Sequence, residues 1–200
     1  MSIRDPAAHW DAVYATKAVD EVSWYEPAPA TSRRLITLAA PSGRVIDVGA
    51  GASSLADVLA SAGYDVTVLD VSANAVAQAR DRLGEQATYV VADILTWAPT
   101  GAYEVWHDRA VFHFLTDPGD QARYVDLATA AVRPGGGLVI GTFAPEGPDS
   151  CSGLPVARHD ADSIARLFTE AFTMEHSETE PHMTPQGGLQ SFTWAVLRRS

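Results

Sequence analysis

The stretch Val45-Ile46-Asp47-Val48-Gly49-Ala50-Gly51-Ala52-Ser53 constrains this chain more than any other. Val45, Ile46 and Val48 form a short apolar run, the pattern of a parallel strand covered on both faces. Gly49 and Gly51 permit a sharp turn and leave room for a ligand against the backbone. Ser54 and Asp57 then give the S-x-x-D signature of a helix N-terminus. Leu55, Val58, Leu59 and Ala62 recur at the spacing of one helix face. A strand, a glycine turn and a helix in that order build a nucleotide-type pocket at the carboxyl edge of an α/β sheet.

The residue pattern selects among ligands. A dinucleotide fingerprint requires G-x-G-x-x-G, and the place of its third glycine holds Ser54. Asp47 ends the strand with a carboxylate near the turn, which repels a pyrophosphate and suits a cation. A second strand with Val66, Val68 and Leu69 ends in Asp70, about 20 residues past the glycines, the spacing at which a carboxylate reaches ribose hydroxyls. A third strand, Tyr89-Val90-Val91, runs into Asp93-Ile94. An acid followed by G-x-G, with further acids ending the next two strands, resembles the class I S-adenosylmethionine-dependent methyltransferases. That family usually has a third glycine where this chain has Ser53. The resemblance implies a cofactor site made of Asp47, Gly49, Gly51, Ser53, Asp70, Val71, Asp93 and Ile94. In it Asp93 and Ile94 hold the adenine and S-adenosyl-L-methionine is the methyl donor.

Composition narrows the partners. With 200 residues the chain is expected to form one domain with one full-sized core, an arm over 1–40 and a core over 43–200. A net charge of -11 argues against nucleic-acid backbones and anionic membranes as partners. One cysteine, Cys151, rules out an internal disulfide framework and suits a reducing compartment, so a cytoplasmic location is expected. The first residues lack the apolar region of a secretion signal, and no apolar run approaches the ~20 residues of a membrane span.

Along the chain, Asp5 and Pro6 read as the cap and first residue of a helix with Trp10, Val13 and Tyr14 on its apolar face. Trp24 and Tyr25 follow, and with Trp10 they either staple the arm to the core or cover the bound cofactor or the substrate. Thr31 is placed to cap a helix containing Leu35, Ile36 and Leu38. Ser72 caps a helix with Ala75, Val76, Ala79 and Leu83, closed by Gly84. A fourth strand contains Tyr103, Val105 and Trp106. A helix from about 120 to 132 leads to the turn Arg133-Pro134-Gly135-Gly136-Gly137, and a fifth strand covers 138–143. The segment 144–158, rich in Gly, Pro and Ser, has the length of a lid. A helix with Ile164, Leu167, Phe168 and Ala171 comes next, and then two strands with no helix between them. Five parallel strands plus a terminal antiparallel pair, with helices on both faces, is the Rossmann-like seven-stranded sheet of the resembled family.

The acceptor should approach over the first and fourth strands, where His107, Asp108, Arg109 and His113 are the polar residues. A histidine there could serve as base, Asp108 could orient it, and Arg109 could bind an acidic acceptor or pair with Asp108. Cys151 and His159 alone are too few for a metal site, and none is expected. The Asn/Asp-Pro-Pro-Tyr/Phe signature of nucleic-acid base and glutamine methylation is absent. The aromatic pair before the first strand, with G-x-G-x-S-x-L, resembles methyltransferases acting on lysines of translation factors. The compact size and short arm resemble thiol, thiopurine and tellurite methyltransferases. The expected reaction is methyl transfer to a small molecule by direct displacement. A protein lysine is the alternative acceptor, and a non-catalytic nucleotide-binding protein or a dehydrogenase the second alternative.

Overall fold

The computed structural model describes residues 5–16 and 21–200. The reading of a missing secretion signal rests in part on residues 1–4, outside the described residues. Helices α1 (Pro6–Thr16) and α2 (Ala30–Ala39) precede the first strand. Then follow β1 (Arg44–Val48), α3 (Leu55–Ser61), β2 (Asp65–Asp70), α4 (Ala73–Leu83), β3 (Ala87–Val91) and β4 (Tyr103–Arg109). The second half holds α5 (Pro118–Ala131), β5 (Val132–Phe143), a small hairpin of β6 (Ser150–Cys151) and β7 (Leu154–Pro155), α6 (Ala161–Phe168), β8 (Phe172–Met183) and β9 (Leu189–Arg199).

Seven strands form one sheet in the order β3-β2-β1-β4-β5-β9-β8. The first five pair in parallel, and β9 runs antiparallel to both β5 and β8. This is the Rossmann-like sheet expected from the sequence. Strand order reverses between β1 and β4, and in open α/β sheets ligands bind outside the carboxyl ends of the strands at such a switch.

Side chains alternate along each strand and divide the core. Val45, Val66, Val105 and Val139 pack with Leu35, Leu55, Leu59 and Ala79 on the face covered by α2, α3 and α4. Ile46, Trp106, Leu138 and Ile140 pack with Tyr124, Ala128, Ile164 and Phe168 on the face covered by α5 and α6. These strands read as near-continuous apolar runs because both faces are buried.

Two of the predicted side-chain caps hold, whereas Ser54 stands at the cap of α3 without a side-chain bond, and Ser53 Oγ accepts from the Leu55 N–H at 3.1 Å instead. Asp5 accepts from the Ala8 N–H at 3.0 Å, and Ser72 accepts from the Ala75 N–H at 3.2 Å. Ala75, Val76, Ala79 and Leu83 are all buried. Thr31 differs: Pro29 occupies the cap position of α2 without a side-chain bond, and Thr31 donates its hydroxyl to Glu180 at 2.5 Å. The Arg133–Gly137 stretch is no free turn either. It lies within β5, where the register against β4 shifts between Tyr103 and Val105, and Gly135 at φ 74 absorbs the irregularity. The segment 144–158 carries the β6–β7 hairpin. In α6, Leu167 is exposed and the helix ends at Phe168, so the apolar stripe is shorter than its spacing implies.

Candidate functional site

Asp47 and His107 meet because β1 and β4 are parallel neighbours in a register that sets them side by side. Both are 2% exposed, and His107 Nδ1 lies 2.7 Å from Asp47 Oδ1. The His107 ring stacks on Trp194 of β9, with centroids 6.0 Å apart and planes at 27°. Asp47 Oδ2 and His107 Nε2 are buried without a hydrogen-bond partner. Buried polar atoms are normally satisfied, so this pair leaves an acceptor and a ring nitrogen available to a bound group.

The next residue along β4 points the other way. Asp108 is fully buried on the α5 side, where it accepts from the Val111 N–H at 2.8 Å, the Phe112 N–H at 3.0 Å and the Tyr124 hydroxyl. Burial pushes its carboxyl up to about 6, against the pull of those donors. Its oxygens fasten the short turn over Phe112–Phe114, and it does not pair with Arg109. His113 sits in that turn, completely buried between Phe114 at 4.5 Å and Phe143 at 4.6 Å. Burial, and then the charge of Arg109, push its imidazole down to about 3. Of the four residues expected on the acceptor side, Asp108 and His113 therefore stand outside the cavity walls, while His107 and Arg109 form part of them.

Two adjoining cavities open at the carboxyl edge of the sheet. The larger encloses about 1190 Å³, open to solvent, with Gly49, Asp70, Val71, Asp93 and Ile94 on one side and Trp10, Tyr14, Trp24, Phe143 and Phe192 on the other. The smaller, about 570 Å³, is lined by Asp47, Ser53, Tyr25, Glu26 and His107 among others. Tyr14, Trp24, Gly49 and Arg109 border both, so the cavities join over the glycine turn. Every residue expected to hold a cofactor lines one cavity or the other, except Gly51, which acts through its backbone.

Asp70 ties the turn together. Its Oδ2 accepts from the Gly51 N–H at 2.8 Å and its Oδ1 from the Ser72 N–H at 2.8 Å. Burial nonetheless raises the carboxyl to about 6. Gly51 itself has φ 55, and a methyl group on it would stand 2.3 Å from the Tyr14 hydroxyl. The turn is thus a place of close approach for the arm, in a backbone conformation that a side chain would strain. Asp93 turns one oxygen back to the Leu95 N–H at 2.9 Å.

The arm closes the site from above. Trp10 packs edge-on against Trp24 at 5.6 Å and Phe114 at 5.2 Å, and Tyr14 meets Trp24 at 6.3 Å. Asp11 holds α1 to the start of α4, accepting from the Ser72 hydroxyl at 2.6 Å and the Asn74 N–H at 3.2 Å. Arg109 holds the other end. Its Nη1 donates to the Trp24 carbonyl at 2.8 Å, its Nη2 lies 3.2 Å from Glu26, and its guanidinium covers the Phe192 ring at 4.7 Å. Sequence reasoning did not place Tyr14, Glu26 or Phe192 in the site. The i, i+4 spacing of Trp10 and Tyr14 marked one helix face, but nothing in it said that the face covers the glycine turn.

Residues 45–136 match the family model described as a methyltransferase domain. No curated protein sequence matches the chain. Among solved structures, a protein described for the conversion of a disulfide bond into a thioacetal group during echinomycin biosynthesis is 24% identical, with a TM-score of 0.78 over 97% of this chain and 92% of that one. The N-methyltransferase NodS from Bradyrhizobium japonicum WM9, in complex with S-adenosyl-L-homocysteine, is 18% identical, with a TM-score of 0.71 over 96% of this chain and 98% of that one. The 1,6-didemethyltoxoflavin-N1-methyltransferase from Burkholderia thailandensis is 19% identical, with a TM-score of 0.72 over 94% of this chain and 81% of that one. The matched stretch holds the glycine turn, all three strand-end acids and the fourth strand, so residues 45–136 are similar to a methyltransferase domain, and the whole chain shares the fold of these solved structures.

Proposed function

We propose that the whole chain works as one catalytic domain that transfers a methyl group from S-adenosyl-L-methionine to a small-molecule acceptor. The observation that carries the reading is the buried, unpartnered Oδ2 of Asp47 beside the glycine turn. An anionic oxygen withdrawn from water requires a donor, and a cationic one satisfies it best. The cofactor's amino group fits that need, and His107 orients the carboxylate from behind. Asp70 would hold the ribose hydroxyls, and Val71, Asp93 and Ile94 the adenine. When bound, the cofactor supplies a methyl group on a sulfonium, an electrophile that needs alignment more than acid or base. Trp24 and Tyr14 lie over the junction of the two cavities, where they exclude water and offer π faces to positive charge.

A small acceptor is favoured because the chamber beyond the junction is walled by the arm's aromatic rings. Two proteins of similar fold, the NodS N-methyltransferase and the toxoflavin-precursor enzyme, are described with S-adenosylhomocysteine bound, and the second also holds its small substrate. The net charge of -11 speaks against nucleic acid. The lone cysteine suits the reducing cytoplasm. Calorimetry with S-adenosylhomocysteine tests the cofactor, and binding is expected to weaken at least tenfold in Asp47→Asn. Incubation of a lysate with labelled cofactor tests the acceptor: label confined to small molecules is expected, and label in a protein band would replace this reading with lysine methylation.

A further inference from the structure

Trp194 is built into the fold in a way that core packing alone does not require. It sits on β9 opposite Gly141 of β5, and β5 separates β9 from β4. The indole nevertheless reaches across β5 and stacks on His107 of β4, with centroids 6.0 Å apart and planes at 27°. Gly141 opens that path: a methyl group there would stand 2.9 Å from three carbons of the indole. Val139 and Phe143, the next residues of β5 on the same face, both carry side chains into the core, so the gap is confined to the position that the indole crosses. The nitrogen edge of the ring is fixed as well. Nε1 donates to Glu180 Oε2 at 2.7 Å, and Glu180 Oε1 takes the Thr31 hydroxyl from the start of α2.

This ring bears on the pair beside the glycine turn. A carboxylate can only accept, so the 2.7 Å bond puts the proton on His107 Nδ1 and leaves a lone pair on Nε2. Asp47 Oδ2 and His107 Nε2, both buried without a hydrogen-bond partner, are then two acceptors on residues that line the smaller cavity. Their direction depends on the plane of the imidazole. The torsion that turns such a ring is soft and roughly two-fold, so a single hydrogen bond at Nδ1 leaves the plane loosely set. An aromatic face laid on the ring, itself locked by a hydrogen bond to a carboxylate, removes that freedom before any ligand arrives.

We infer that Trp194 is a positioning residue for the methyl donor: held by Glu180 and admitted by Gly141, it fixes the His107 ring, through which Asp47 presents its unpartnered oxygen to the donor's amino group. The inference rests on the methyl-transfer reading above. Trp194 lines neither cavity, so it acts through His107 and touches no reacting atom. Its influence is confined to a ligand that carries the amino group. The residues assigned to the nucleoside, Asp70, Val71, Asp93 and Ile94, line the other cavity and do not depend on the indole.

The test compares two ligands by calorimetry on the full chain: S-adenosylhomocysteine, and methylthioadenosine, which keeps the nucleoside and a thioether but has no amino acid. The unaltered protein should bind the first at least tenfold more tightly. Trp194→Leu should weaken S-adenosylhomocysteine at least fivefold and leave methylthioadenosine within twofold. Glu180→Ala, on the edge strand β8, should show the same selective loss to a smaller degree, and Glu180→Gln, which keeps an oxygen for the indole, should recover it. These two variants carry the test if Trp194→Leu does not fold. In an Asp47→Asn background, Trp194→Leu should cost no further affinity, while its effect on urea unfolding stays the same in both backgrounds. Equal weakening of both ligands, no weakening of either, or losses that add to those of Asp47→Asn would overturn the inference and leave Trp194 a packing residue. So would equal affinity of the unaltered protein for the two ligands, since Asp47 would then receive no amino group. Failure of the unaltered protein to bind either ligand would instead overturn the methyl-transfer reading from which the inference starts.

Discussion

Replacing His113 with leucine should make the protein less sensitive to acid, by an amount the structure sets. The imidazole is wholly buried and both ring nitrogens lack a partner, so the fold accepts it only in the neutral form. Its pKa falls from the ordinary 6.5 to about 3 on folding, through burial first and the charge of Arg109 second. A base whose pKa is depressed by folding contributes stability above its unfolded value, and that stability drains away as pH falls toward the folded one. At pH 5 the unfolded chain has gained 1.5 pH units of proton affinity over the neutral folded form. At about 1.4 kcal/mol per unit, that removes about 2 kcal/mol of stability relative to pH 7.5. Asp70 and Asp108, raised to about 6 from 3.8, act in the opposite sense: their contribution is full below 3.8 and is lost as pH rises through 6. They are common to both proteins and cancel in the comparison. Urea unfolding of wild type and His113→Leu at pH 7.5, 6 and 5 is the assay. The difference in favour of leucine should widen by about 2 kcal/mol between the first and last pH. Parallel pH profiles would refute the argument, because they would mean that His113 reaches water in the folded protein.

Three further outcomes are expected. Asp70→Asn keeps the shape but weakens the bonds that a carboxylate makes, and should weaken the binding of S-adenosylhomocysteine by about 1.5–3 kcal/mol, read by calorimetry. Gly51→Ala combines a φ of 55 with a 2.3 Å clash on the Tyr14 hydroxyl; urea unfolding should show a loss of more than 1 kcal/mol, partly recovered in the double variant with Tyr14→Phe. Hydrogen exchange should show 21–26 and 144–158 gaining protection when S-adenosylhomocysteine binds, since Trp24 and Cys151 line the cavity it would enter; equal exchange in both states would make the two segments scaffold.

The parallel core and the placing of the glycine turn and the acids at the carboxyl edge of the sheet were legible because each rests on local chemistry. A strand buried on both faces needs a continuous apolar run, a turn with φ > 0 needs glycine, and an acid ending a strand lies at the ligand edge. The acceptor side was not legible, because its reading depends on which way each residue of β4 faces. His107, Asp108 and Arg109 look equivalent in sequence, yet alternation sends Asp108 to the opposite layer, where Tyr124 claims it. His113 looked like a base, but a short turn carries it into the core. Glu26 and Phe192 stand 83 and 83 residues from Arg109 in opposite directions, and only the closed sheet brings all three together. The Arg133–Gly137 motif reads as a turn from composition, whereas pairing with β4 on either side keeps it inside a strand.

The insertion of β9 between β5 and β8 has a consequence for the order of assembly. Trp194, against which His107 stacks, and Phe192, beneath Arg109, both arrive on that strand. During synthesis the glycine turn and its three acids emerge long before the strand that completes the wall around them. Until β9 slides in, the edge of β5 is open and the apolar floor of the chamber is bare. A polypeptide halted before residue 189 would therefore have the glycine turn, its acids and the arm's rings, but would lack Phe192 from the cavity wall and the Trp194 ring behind His107.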